Sequence, residues 1–244
     1  MWFETLILAA GVAGGVVAAV TGFGIGSLLT PALALQVDAR VAVAAVSIPH
    51  AVGTAFRFWL LGGRVDSRVL WSFGLTSAAG GLAGALLQQE AGTPALMVLF
   101  GALLLFTAGA ELTGLAQRMR FEGPMAWIAG GASGFLGGLV GNQGGIRSGA
   151  LLGVELPKHV FVATATAIGL MVDGARVPIY LWQLHGPLRD IAGWILLAAA
   201  GVVAGTLLGN RLLGQIPERW FRRMVAVVLA VLGAVMLVRG IQGQ

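Results

Sequence analysis

The 244-residue chain is 57% hydrophobic and only 10% charged, with a mean hydropathy of +0.89. Soluble domains carry about 25% charged residues, so this composition excludes a water-soluble globular protein and predicts an all-α integral membrane protein. The net charge of +5 does not indicate nucleic-acid binding, because the arginines lie at the ends of apolar segments rather than on one basic face.

Most of the apolar segments are long enough to cross a bilayer, which needs about 20 residues. In chain order they occupy residues 2–20, 25–36, 41–61, 69–87, 94–114, 124–140, 146–154, 160–183, 190–209 and 219–239. Polar stretches at 62–68, 88–93, 116–123, 185–189 and 213–219 predict loops. The start of the chain lacks the basic region of a signal peptide, so we expect the first segment to be retained and the protein to be multi-pass in the plasma membrane.

Two segments, 25–36 and 146–154, are too short to span, and each follows a Gly-rich break. Gly22 matches Gly141 and Arg57 matches Arg176, both at a separation of 119 residues. We therefore predict a single membrane domain, 1–244, formed by two repeats, 1–117 and 124–244. Each repeat would contain one Gly-tipped broken or re-entrant helix and three spanning helices, giving six to eight spans in total.

Two topologies fit these repeats. If each break lies within a spanning helix, the halves are parallel and the basic residues divide five against seven between the two faces. If each break is the tip of a re-entrant hairpin, the halves are inverted and the division is nine against three, with Arg40, Arg189 and Arg239 as the minority. The positive-inside rule favours the inverted arrangement, which places both termini outside the cytoplasm.

The two breaks are candidate anion sites. Non-helical backbone at membrane depth is tolerated where it is buried or lines a cavity, and the helix that follows presents free N–H groups and a positive dipole end. The predicted substrate-binding residues at the breaks are Gly22, Phe23, Gly24 and Gly26, and Gly141, Asn142, Gln143, Gly144 and Gly145. The alternative is that these glycines only allow close helix packing.

Charged residues within spans are the second set of candidates. Arg57 and Arg176 are predicted to bind the substrate, unless they extend to the membrane surface instead. Asp173 lies three residues before Arg176, which predicts an ion pair, and it is also a candidate proton acceptor. His50 and Arg147 are, with Asp173, candidates for coupling or gating, although a histidine in this setting can be a packing group.

The sequence contains no catalytic constellation. It has no cysteine and only three histidines, none of them in a metal-binding motif, so it predicts no enzyme, cofactor or metal site. No strand precedes either Gly-rich break, which leaves nucleotide binding unsupported.

The chain resembles the sulfite exporter TauE/SafE family, also called the toluene-sulfonate uptake permeases. The resemblance rests on the breaks at 22–26 and 141–145 and on the stretch from Pro49 through Arg57 to Arg68. It implies a secondary transporter of small, sulfur-containing anions such as sulfite or sulfonates. Ile25 and the pair Asn142 and Gln143 depart from the family's more Gly-rich pattern.

Three functions follow from these observations. The first is a secondary anion transporter, whose partners would be a small anion, the lipid bilayer and a coupling proton or sodium ion. The second is a passive anion channel, and the third is a membrane scaffold subunit without transport activity. A homo-oligomer is compatible with all three, and no nucleic-acid partner is expected.

Overall fold

The structure is a computed structural model that describes residues 1–61, 64–115, 123–141, 147, 156–212 and 218–243. The secondary structure of these residues is helical, which confirms the predicted all-α class. The helices are α1 (Trp2–Thr21), α2 (Ile25–Leu33), α3 (Ala39–Leu61), α4 (Ser67–Leu87), α5 (Thr93–Thr113), α6 (Pro124–Val140), α7 (Lys158–Asp190), α8 (Ala192–Leu212) and α9 (Glu218–Ile241). In the described part of the chain, seven are long and apolar enough to cross a membrane, so the protein is a multi-pass membrane protein.

The short helix α2 doubles back along α1. A Cβ built on Gly14 would lie 3.1 Å from the Cα of Ile25, and one on Gly24 would collide with the side chain of Val17. Next, α2 runs antiparallel to α3, because Ile25 lies beside Gly53 while the two helices are joined at their other ends. As a result, α1 and α2 form a helical hairpin in the first half of the chain.

Small residues bring two pairs of parallel helices into backbone contact. Along α1 and α8, Gly11 lies against Ala198 and Gly15 lies against Val202. The pair formed by α4 and α6 has the same character, with Gly84 packed on the backbone of Phe135. Without a side chain at the contact, the helix axes approach closely and gain dispersion energy, which drives helix association in lipid.

Helices at equivalent positions in the two halves run antiparallel to each other. Gly101 of α5 lies against Gly233 of α9, whereas Gly240, near the end of α9, lies against Pro94 at the start of α5. In the same way, α3 crosses α7 with early positions of one helix facing late positions of the other. An inverted duplication would produce this arrangement, although the duplication itself stays a prediction.

The two chain ends lie on one face, which we call the termini face. Phe3 stacks edge-on against Trp194 at 4.6 Å, so α1 and α8 begin together. At the same face, Arg239 near the end of α9 donates to the carbonyl of Ala34 at 3.2 Å. Arg40, at the start of α3, donates to the carbonyl of Gln89 at 3.3 Å. Arg40, Arg239 and the helix end that carries Arg189 are therefore grouped as the hairpin topology predicts.

The prediction of a loop at residues 185–189 is wrong. α7 continues to Asp190 as helix, and the non-helical residue inside it is Leu184, with φ −126° and ψ 24°. Pro187 lies in the first turn after this kink, where its missing N–H removes no intrahelical hydrogen bond. The sequence signal for a loop was therefore the start of a second helical piece.

Candidate functional site

Two helices end at equivalent glycines where the halves of the chain meet. α1 ends at Gly22 and α6 ends at Gly141, both in the left-handed conformation with φ of 83° and 74°. Each glycine amide closes its helix by donating to a carbonyl four residues back, that of Ala18 at 2.9 Å and that of Gly137 at 3.0 Å. A side chain would strain this conformation, which explains glycine at both positions.

The first turn of α2 contacts the end of α6. A Cβ on Gly26 would collide with the carbonyl oxygen of Gly141, so the two backbones touch directly. Phe23 and Gly24, which lie between Gly22 and Gly26 in the sequence, are also buried. The structure therefore brings the first break, residues 22–26, against Gly141, the first residue of the second break. Asn142, Gln143, Gly144 and Gly145 lie outside the described residues.

Two arginines bind the last turns of α1 and α6. Arg57 donates through Nη1 to the carbonyl of Ala18 at 2.6 Å, and Arg176 donates through Nη1 to the carbonyl of Gly137 at 2.6 Å. Each carbonyl already accepts from a glycine amide, but its second lone pair is free to accept from a guanidinium, which also stabilises the negative end of the helix dipole. With exposed fractions of 3% and 1%, neither side chain reaches the protein surface.

The carboxylate of Asp173 joins α3 to α7. Its Oδ1 accepts from Nε of Arg176 at 3.0 Å and lies 2.9 Å from Nη2, which confirms the predicted ion pair. Its Oδ2 lies 2.7 Å from Nδ1 of His50, which is 123 residues earlier in the chain. His50 is therefore a hydrogen-bond partner of Asp173 rather than a packing group, a contact that the sequence did not predict.

Arg147 lies beside the crossing of α3 and α7. Its Nη1 would be 3.1 Å from a Cβ on Gly169, and its Nη2 donates to the carbonyl of Gly22 at 3.3 Å. The side chain is 1% exposed, and within the described part of the chain Nε and Nη1 have no hydrogen-bond partner. A buried guanidinium with unused donors is costly, so this site favours a polar ligand.

The described cluster has an excess of positive charge. The charges of Arg57, Arg147 and Arg176 interact with one another and with the single carboxylate of Asp173. With His50 neutral, the described side chains leave two positive charges unbalanced. Buried charges are expensive unless they are paired, above all within a bilayer, so the cluster is suited to hold an anion.

Tyr180 is a member of the site that the sequence analysis missed. It is fully buried on α7, one turn after Arg176, and its hydroxyl donates to the carbonyl of Gly138 near the end of α6. It is the only tyrosine in the chain, and a buried tyrosine hydroxyl needs a partner. The signal in the sequence was a single tyrosine within a span, four residues after an arginine.

The fold and the site define a multi-pass membrane protein with a buried cationic site beside two helix ends that are closed by glycine. A family model described as Sulfite exporter TauE/SafE matches residues 7–236. The chain belongs to this family, and the matched region contains both glycine turns and the whole charged cluster. No curated protein and no solved structure matches the chain.

Proposed function

We propose that the protein is a secondary transporter that moves a small, sulfur-containing oxyanion, such as sulfite or a sulfonate, across the plasma membrane. The observation that carries the proposal is the buried guanidinium of Arg147, which lies against Gly22 and has two nitrogens without a hydrogen-bond partner among the described residues. A guanidinium presents pairs of parallel N–H donors that match two oxygens of an oxyanion. Arg147 is therefore the primary anion ligand.

The charge of the cluster narrows the class of anion. Arg57 and Arg176 are engaged with helix ends, and Asp173 neutralises one guanidinium. The two remaining positive charges are balanced best by a dianion, or by a monoanion with a more weakly held second charge. Arg57 and Arg176 then act by fixing the turns and by contributing charge, and Arg147 contacts the anion.

His50 and Asp173 supply the coupling step. A proton bound to either group makes the cluster more positive, so protonation and anion binding strengthen each other. The pair lies at the crossing of α3 and α7, where it can respond to movement of one half against the other. This gives transport of a proton and an anion in the same direction, with sodium as the alternative coupling ion.

The test is sulfite flux into liposomes that contain the purified protein. Changing Arg147→Gln keeps much of the volume but removes the charge, and we expect flux to fall by roughly 10- to 100-fold through loss of charged hydrogen bonds. The matched control is Arg211→Gln, which removes an exposed arginine at the end of α8 and should leave flux unchanged.

Equal flux in both variants would remove Arg147 from the mechanism. A second measurement separates a transporter from a channel: under an imposed proton or sodium gradient, a transporter accumulates sulfite against its own gradient. Flux that only equalises the two compartments would identify a channel.

A further inference from the structure

A polar cavity opens on the termini face, outside the charged cluster. Its volume is about 320 Å³, and it lies between the segment that joins α2 to α3, the start of α5 and the end of α9. Gln36, Asp38, Thr93 and Arg239 contribute its polar lining. The charge of this cavity and its extension into the protein bear on what it can admit.

The net charge of this cavity is positive. Burial raises the pKa of Asp38, but hydrogen bonds from Thr93 and from the backbone and side chain of Arg40 lower the pKa by more, so the carboxyl is ionised at neutral pH. Arg40 neutralises that charge at 3.2 Å. Arg239 donates to the carbonyl of Ala34 and, among the described residues, pairs with no carboxylate. No carboxylate of the described residues therefore compensates the positive charge that Arg239 brings to the cavity.

A second, smaller cavity continues inward from the first. It shares Ala34, Ala39 and Met97 with the larger one and has a volume of about 10 Å³, close to the space that one water needs. Its inner wall includes Thr30 and Val140, the last residue of α6. The two cavities thus form one line from the termini face towards the glycine turns.

Thr30 lies in the wall of the inner cavity, which exposes only apolar surface in this conformation, and carries a polar atom behind that wall. The side chain is 2% exposed, and in the described part of the chain its Oγ1 has no hydrogen-bond partner. The same oxygen would lie 3.5 Å from a Cβ built on Gly141. A hydroxyl at a helix interior usually bonds to its own backbone, so an unpartnered hydroxyl between a cavity and the candidate site points to a passing ligand or water.

We infer that these cavities are the route by which anions enter the site from the termini face. This inference rests on the proposed function. Arg239 attracts the anion into the outer cavity, and Thr30 donates a hydrogen bond to it on the way to Gly141. Between them, the apolar side chains of Val43, Met97 and Phe100 narrow the route in this conformation to the size of a water. Anion passage requires these side chains to move apart.

Because the chain contains no cysteine, single introduced cysteines can test the route by chemical labelling. Val43→Cys places a thiol on the inner cavity, Gln36→Cys places one at the outer cavity, and Val231→Cys places one on an exposed face of α9. Because Val231 lies at the middle of a span, its cysteine is a lipid-facing control that should react with neither reagent, and Thr5→Cys, on the exposed first turn of α1, is the control for charge preference. Each variant is treated from the termini face with methanethiosulfonate reagents of equal size that carry either a sulfonate or a trimethylammonium group. We expect the cysteine at position 43 to react faster with the sulfonate reagent, and the cysteine at position 5 to show no such preference, because the charges beside it belong to the paired Met1 amine and Glu4.

The matched charge variants are Arg239→Gln and Arg189→Gln, which remove one arginine each from the same face. In the Val43→Cys background, the first should lower the sulfonate-to-ammonium rate ratio by roughly two- to tenfold, and the second should leave it unchanged, because a nearby uncompensated charge acts over a short range. Arg239→Gln should also raise the KM for sulfite flux without lowering kcat.

Two results would overturn the route. One is a cysteine at position 43 that stays unreactive from the termini face while the cysteine at position 36 reacts. The other is an equal effect of the two arginine variants. Because labelling does not require flux, a charge-selective route in a protein that moves no anion would contradict the proposed function alone, and flux without labelling would contradict the route alone.

Discussion

Arg57 and Arg176 occupy equivalent places in the two halves and make one equivalent contact each, but their second partners differ in charge. The Nε of Arg57 donates to the hydroxyl of Thr166 at 3.0 Å, whereas the Nε of Arg176 donates to the carboxylate of Asp173 at 3.0 Å. The position equivalent to Asp173 holds Thr54. Residues 1–117 and 124–244 therefore each contribute an arginine that binds a helix end, and of the two positions three residues before these arginines only 173 carries an acid.

This difference separates the contacts that hold the helix ends from the carboxylate that sets the charge of the cluster. The contacts to Ala18 and Gly137 hold the ends of α1 and α6, and any two halves with glycine turns need them. A carboxylate in both halves would lower the excess positive charge of the described cluster from two to one. With a single carboxylate, the described side chains keep an excess of two positive charges when His50 is neutral.

The largest effect should come from removing that carboxylate. Asp173→Ala leaves Arg176 and His50 without their buried partner, and we expect the free energy of unfolding to fall by about 3–5 kcal/mol. Thermal unfolding of the purified protein in detergent measures this loss. The control is Asp190→Ala at the exposed end of α7, which should cost less than about 0.5 kcal/mol.

If Asp173→Ala is too unstable to purify, Asp173→Asn retains the shape and one hydrogen bond and should give an intermediate loss. If Asp173→Asn lowers the free energy of unfolding no more than Asp190→Asn does, the carboxylate does not hold the cluster together. The difference between Arg57 and Arg176 in their second partners would then have no effect on stability.

A smaller effect should follow from separating the two halves at their contact. Gly26→Ala forces a methyl group against the carbonyl of Gly141, so backbone must shift, at a cost of about 1–3 kcal/mol. Gly109→Ala is the control, since nothing lies within 4 Å of its added Cβ and alanine favours a helix. Thermal unfolding should show a lower Tm for the first and an unchanged or higher Tm for the second. Equal Tm values for the two variants would contradict the direct backbone contact between Gly26 and Gly141.

The smallest effect should come from the uncharged partner of Arg57. Thr166→Val removes one hydrogen bond but leaves the contact of Arg57 with Ala18, so we expect a loss of about 1 kcal/mol in the free energy of unfolding. Thermal unfolding beside the Asp173 variants gives the comparison directly. A loss for Thr166→Val as large as that for Asp173→Ala would show that the two arginines depend equally on their second partners.

Much of this arrangement could be predicted from residues close together in the chain. The apolar segments and Gly-rich breaks are local patterns, and the structure has helices and turns at the described ones. The ion pair of Asp173 with Arg176 followed from their spacing of three residues on one helix. The helix at 185–189 was missed because Pro187 indicates either a loop or a helix start, and only the position of the kink at Leu184 distinguishes them.

The sequence by itself determined the membrane class, the two glycine breaks and the matched positions of Arg57 and Arg176, because hydropathy and residue spacing act along the chain. Only the tertiary structure decided which groups meet across it: His50 with Asp173, Arg147 with Gly22, and Gly26 with Gly141. It also decided which donors remain unused. A guanidinium bonds to whichever carbonyl helix packing brings within about 3 Å, and that choice depends on residues more than 100 positions apart.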